Sequence, residues 1–155
     1  MSAWYTGSGQ NISFEDMLSI VEKHSENNGT VYVGTDSMLR KRRCIFCTAI
    51  CLHGDTEQSN RYFFKKTFHK SPEYEILFQR ITTEVQNSVD IGLNLLYHYP
   101  NMNIEIHLDI SKSSGNTKTS KMADMLVGYA KGNGFDCKTK PMAFAASSVA
   151  DKHSK

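Results

Sequence analysis

Four acidic side chains stand where metal chemistry could be done. Asp36 follows a β-prone run in Gly34-Thr35-Asp36-Ser37. Asp109 lies in His107-Leu108-Asp109-Ile110, and Asp151 stands close to the last residue given. The fourth comes from a long helix-prone stretch between Asp36 and Asp109, where Glu73, Glu75, Glu84 and Asp90 are the options. On a wheel of about 100° per residue, Glu84 falls beside Ile81 and Ser88, at the margin of the apolar stripe. Glu75 falls with Gln79, Thr82 and Gln86 on a polar face, and Asp90 points away. Glu84 is therefore the better candidate and Glu75 the reserve. Carboxylates held side by side repel unless one is protonated or a cation bridges them. A hard divalent ion such as Mg2+ or Mn2+ takes oxygen ligands of this kind and keeps open positions for water and phosphate. Each residue also has a plainer use: Asp before Ser forms turns, Glu84 could be a rim charge, and Asp151 a helix end. The case for them is joint and depends on whether the fold makes them converge.

Around them stand candidates for accessory work. Ser37 follows Asp36, His107 shares a strand face with Asp109, and His153 follows Asp151; the histidines could assist proton transfer or product release. Arg40, Lys41, Arg42 and Arg43 are four cations in a row, with Lys65, Lys66 and Lys70 in the next strand region, and such runs contact phosphate. Lys112 and Lys118, in a Ser-, Lys- and Gly-rich loop, could contact a substrate backbone. Cys44, Cys47 and Cys51 do not read as a zinc site: in a strand Cys44 and Cys47 point to opposite faces, and no fourth ligand has tetrahedral spacing. They read as small buried thiols.

These residues need elements to position them. Ser13, with Asp16 three residues on, starts an amphipathic helix that Asn27, Asn28 and Gly29 stop. Thr30 to Thr35 reads as a first strand ending at Asp36. Cys44 to Leu52, apolar on both faces, reads as a central strand, Gly54 and Asp55 as a turn, and Arg61 to Phe68 as a third strand, giving an antiparallel meander. Ser71 and Pro72 signal a helix running to about Tyr97, which Pro100 ends. Asn103 to Ile110 alternates as a fourth strand, with Glu105, His107 and Asp109 on one face. A helix over about 119–131, stopped by Gly132, then a fifth strand from Phe135 to Lys140 and a last helix from Ala143 to about Asp151 complete the chain. Residues 1–12 give no clear signal. The order predicts an α/β domain: a mixed five-stranded sheet, three antiparallel strands then parallel ones, flanked by helices. A single domain over 1–155 is expected, with 1–28 an N-terminal extension carrying a helix and 29–155 the core.

Bulk properties narrow the class. The chain has 155 residues, 39% hydrophobic and 22% charged, as in ordinary globular domains. A net charge of +2 makes no case for nucleic acid by itself. No basic, apolar, small-residue order opens the chain and no apolar run nears the ~20 residues of a membrane span, so a cytoplasmic location with reduced thiols is expected.

The ordered set resembles the ribonuclease-H-like superfamily, and more specifically its YkuK-type family of small bacterial and phage proteins. The matching residues are Val33-Gly34-Thr35-Asp36-Ser37, Arg80 through Glu84 and Ser88, His107-Leu108-Asp109, and Lys140-Pro141 through Ala145-Ala146-Ser147 to Ala150-Asp151, with Ser13-Phe14-Glu15 fitting the leading helix. Met38 departs from the polar residue usual there. The resemblance implies Asp36, Glu84, Asp109 and Asp151 as catalytic metal ligands, Mg2+ or Mn2+ as cofactor, and DNA or RNA as partner. Such a site would hydrolyse phosphodiesters with two ions about 4 Å apart bridged by Asp36. The alternative is a non-catalytic module of the same fold that binds nucleic acid or a protein.

Overall fold

The computed structural model describes residues 3–53, 61–70, 72–111 and 117–155, with the side chains of 117–120 left aside. Its elements in chain order are β1 (Trp4–Thr6), β2 (Asn11–Ile12), α1 (Phe14–Glu26), β3 (Thr30–Arg40), β4 (Arg43–His53), β5 (Arg61–His69), α2 (Leu77–His98), β6 (Ile104–His107), α3 (Thr117–Gly132), β7 (Asp136–Lys138) and α4 (Asp151–Ser154). A 3-10 turn, Pro72–Glu75, precedes α2, and a π-helical segment, Ala145–Ala150, runs into α4.

One mixed sheet organises them, in the order β2-β1-β5-β4-β3-β6-β7. The expected meander is β5-β4-β3, antiparallel throughout, and the expected parallel strands are β6 beside β3 and β7 beside β6. The sheet has seven strands rather than five. The two extra ones come from the N-terminal segment, where β1 pairs with β5 through Tyr5 and Thr6 and with β2. Strands of three and two residues are too short to show a period, which is why the sequence hid them.

Several boundaries differ from the sequence reading. β3 does not end at Asp36: it runs on to Arg40, pairing Asp36 with Cys47 and Arg40 with Arg43. The Gly-Thr-Asp-Ser run looked like a turn because its small polar residues favour turns; here they face packed elements instead. β6 is shorter than expected and stops at His107, so Asp109 lies just beyond it. Pro72 opens the 3-10 turn and not α2, which starts at Leu77 behind an uncapped Ile76. The last helix, expected over Ala143 to about Asp151, is present and runs on past Asp151, the π-helical segment passing without a break into α4. The expected start at Ser71 and turn at Gly54 and Asp55 lie outside the described residues.

Other signals held. The Ser13 hydroxyl accepts from the Asp16 N–H at 3.1 Å, and Asn27 and Asn28 end α1 with Asn28 in the left-handed region. Between the sheet and helices α1, α2 and α3 lies the main core, with Met17, Val21, Val33, Ile50, Val89, Leu95, Ile106 and Ala130 fully buried. A smaller core on the other face packs Cys47, Ala49, Cys51 and Phe64 under Ala145 and Ala150 of the C-terminal segment.

Candidate functional site

The parallel register brings the first two carboxylates together. Val31 pairs with Ile104 and Gly34 with His107; continuing that offset by two residues sets Asp109 level with Asp36. Alternation puts both on the face covered by the C-terminal segment. Gly34 lets that segment come close: a Cβ there would lie 2.4 Å from the Ala146 nitrogen and 2.7 Å from the Ala145 carbonyl carbon. The Ala145 N–H also donates to His107 Nδ1 at 3.1 Å, so Gly34 and His107 together seat the chain that carries Asp151.

Asp36 is 6% exposed, and its surroundings disfavour its charged form. Burial, hydrogen-bonding contact with the Asp109 and Asp151 side chains and the Asp109 charge push its pKa up to about 8, against a lowering by Ser154. Burial and the neighbouring carboxylates thus favour the protonated form of Asp36. The same contact, with the Lys155 ammonium and the Lys140 charge, overcomes burial and keeps Asp151 below its ordinary value.

Glu84 reaches the cluster from the opposite face. It is buried on α2 and accepts a hydrogen bond from Ser37 at 2.5 Å. Burial, opposed by the Ser37 bond, and then the Asp36 and Asp109 charges raise its pKa well above the ordinary value. Glu75, the reserve, sits in the 3-10 turn, exposed, beside the β3–β4 hairpin. One turn along α2 from Glu84, Ser88 bonds Thr35 at 2.7 Å, and Thr35 bonds Thr48 at 3.0 Å, a buried hydroxyl chain that locks α2 onto β3.

Each carboxylate also has partners of its own. Ser154 donates to Asp36 at 3.1 Å, Ser147 donates to Asp109 at 2.9 Å, Lys140 pairs with Asp109 at 3.1 Å and Lys155 with Asp151 at 3.0 Å. Among the described residues, no three His, Cys, Asp or Glu side chains are arranged to hold one metal ion. The donors are nevertheless all carboxylate oxygens, and a buried set that must retain a proton is the chemistry a hard cation relieves. The group therefore fits such an ion in kind, while its lysine and serine contacts hold the carboxylates in an arrangement that does not itself cage one.

The remaining candidates have other surroundings. His107 is 2% exposed, and burial, with the Lys138 and His53 charges, lowers its pKa to about 4. With Nδ1 accepting from Ala145, it is a neutral packing residue between Tyr32 and Phe144. His153 bonds the Tyr62 hydroxyl at 2.8 Å and stacks on Phe64, with ring centroids 3.9 Å apart. It fixes α4 to the sheet and is not among the carboxylates' partners. The four cations form the β3–β4 hairpin tip, with Lys41 and Arg42 at φ 42° and 66°. Positive φ at both central residues is the pattern of a type I′ two-residue turn, which lysine and arginine take at a cost that Asn-Gly would avoid. Lys112 and the Lys118 side chain lie outside the described residues. Burial pushes the thiols of Cys47 and Cys51 up to about 12, as inert core groups, while Cys44 is buried toward α2.

Neither Ser154 nor the role of Gly34 could be read from the sequence, since neither contact follows from a local pattern. Lys140 and Ser147 stood within the matched C-terminal run without an assigned task. No helix among the described residues is long and apolar enough to cross a membrane. Comparison with family models matches residues 13–155 to the family described as Ribonuclease H-like. The search of curated proteins returned no match. Since the match covers most of the sequence, the chain belongs to the ribonuclease-H-like family.

Proposed function

We propose that this family member is a divalent-metal-dependent nuclease, with Asp36, Glu84, Asp109 and Asp151 as the catalytic metal-holding group. One observation carries the reading: Asp36 is buried and in hydrogen-bonding contact with two other aspartates, surroundings that raise its pKa to about 8. A fold that only needed a polar residue there would not gather like charges. Mg2+ or Mn2+ at this position would supply Lewis-acid activation of water and stabilisation of the leaving oxygen of a phosphodiester. The chain's own residues do the rest. β3 and the end of β6 set Asp36 and Asp109 level, Ser37 orients Glu84, and Gly34 and His107 seat the segment bearing Asp151. The lysines at Asp109 and Asp151 screen the cluster and lie where a phosphate would be drawn.

The test is cleavage of labelled single- and double-stranded DNA, RNA and hybrid substrates with Mg2+ or Mn2+. The wild type should cut at least one of them, and Asp36→Asn should reduce cutting below detection. Absence of cleavage across the panel would sink the catalytic reading. A second reading then stands, a non-catalytic nucleic-acid-binding module. It is favoured by the protein partner that each carboxylate already has.

A further inference from the structure

The sheet face that carries Asp36 continues beyond the carboxylates. Asp36 pairs with Cys47 on β4, and Cys47 pairs with Lys66 on β5. Lys66 thus stands in the same row and on the same face, two strands away. One pleat toward the hairpin, Met38, Ile45 and Phe68 make the next row, and at the tip Arg40 pairs with Arg43. Side chains two apart along a strand share a face, so Arg40, Arg43, Phe68 and Lys66 lie on one side with Asp36.

The chemistry of this strip is cation and ring in alternation. Phe68 is 56% exposed, unusual for a phenylalanine within a strand, and the Arg43 guanidinium lies 5.2 Å from its ring centroid. On the next strand Tyr5 stacks against Phe64, with ring centroids 5.7 Å apart. Tyr5, Phe64, Lys66 and Phe68 line an open cleft of about 800 Å³, and no acidic side chain is among its described lining residues. His153, stacked on Phe64, places α4 along one side of it.

Rings and cations in alternation suit one kind of ligand. Phosphates seek the cations, and unpaired bases offer faces that stack on exposed rings irrespective of sequence. A duplex presents phosphates but keeps its base faces stacked inside, so an exposed Phe68 gains nothing from it. We propose that this strip binds single-stranded nucleic acid, with bases on Phe68 and Tyr5 and phosphates on Lys66, Arg43 and Arg40, and leads the strand to the carboxylates. Only that last step rests on the nuclease reading; the binding itself does not.

The experiment separates the two. Binding of the full chain is measured by fluorescence anisotropy in EDTA, without divalent metal, using a labelled 20-nucleotide oligo(dT) and a blunt duplex of equal length. The single strand should bind at least ten-fold more tightly than the duplex at the same salt. Phe68→Ala should weaken single-strand binding roughly ten-fold, and Phe68→Trp should retain it. Lys66→Gln should lower the slope of log affinity against log salt by about 0.7. Equal affinity for the two probes, or a Phe68→Ala variant that binds oligo(dT) like the wild type, overturns the proposal. Since Phe68 is exposed, its loss is read on a folded protein, and circular dichroism checks this. Failure to cut any substrate in magnesium would leave this binding result standing, and failure of binding would leave cleavage of duplexes open.

Discussion

At two consecutive residues, β3 shows two ways of burying polar groups. Thr35 faces α2 and spends its hydroxyl on Ser88 and Thr48, neutral partners of matching geometry. Asp36 faces the C-terminal segment and meets Asp109 and Asp151, groups of its own sign. The first arrangement satisfies itself and can be dry and rigid. The second is satisfied only while a proton is retained or a cation is present. The difference separates a polar contact that serves the fold from one that the fold must carry for another purpose.

Substitutions on the two faces should therefore behave differently. The largest effect is expected at the residue that lets the charged face close. Gly34→Ala drives a Cβ into the Ala145–Ala146 backbone, so it should cost about 3 kcal/mol in urea unfolding and detach the segment carrying Asp151. Thr35→Val leaves Ser88 and Thr48 without their shared partner and should cost about 1–2 kcal/mol by the same measurement. Asp36→Asn should act in the opposite sense at pH 8, stabilising the metal-free protein by about 1 kcal/mol while removing the proposed cleavage. A destabilising Asp36→Asn at that pH would end the contrast between the faces.

Thermal melts across pH test the same contrast with the sign fixed. The folded Asp36 holds its proton up to about pH 8, whereas its ordinary value is 3.8. Between those values the folded state binds more proton than the unfolded one, so this contribution is full below about pH 4 and is lost as pH rises toward 8. His107 runs the other way. Its pKa falls from 6.5 to about 4, so its contribution is present above pH 6.5 and lost as pH falls from there to 4. Asp36→Asn should flatten the profile between pH 6.5 and 8 and, from pH 4 to 6.5, where the two contributions oppose each other, unmask the rise with pH that His107 brings.

How legible this was in the sequence follows from the range of each cue. The meander and the strand–helix alternation were legible because β4 and β5 carry dense apolar and aromatic runs and α2 a long helical stripe. Glu84 could be chosen over Glu75 because a stripe margin can be read off a wheel. Asp109 could be paired with Asp36 once parallel strands were expected. What escaped was set by contacts distant in sequence. The run of β3 through Asp36 to Arg40 depends on eleven pairings with β4, which outweigh the turn tendency of Thr-Asp-Ser. β1 exists because β5 offers it a partner, and the edge strand β2 because β1 does so in turn. Gly34 against Ala146 and Ser154 against Asp36 join positions more than a hundred residues apart, and no local pattern announces either.

The central claim is that the crowded face is built for a divalent cation. Manganese soaked into crystals and located by its anomalous signal tests it most directly. The account predicts manganese bound by Asp36 together with Asp109 and at least one of Glu84 and Asp151, with Lys140 turned away from Asp109. Crystals in millimolar manganese that show no ion there, with Asp36 still bonded to Ser154 and Asp109 to Lys140, would contradict it.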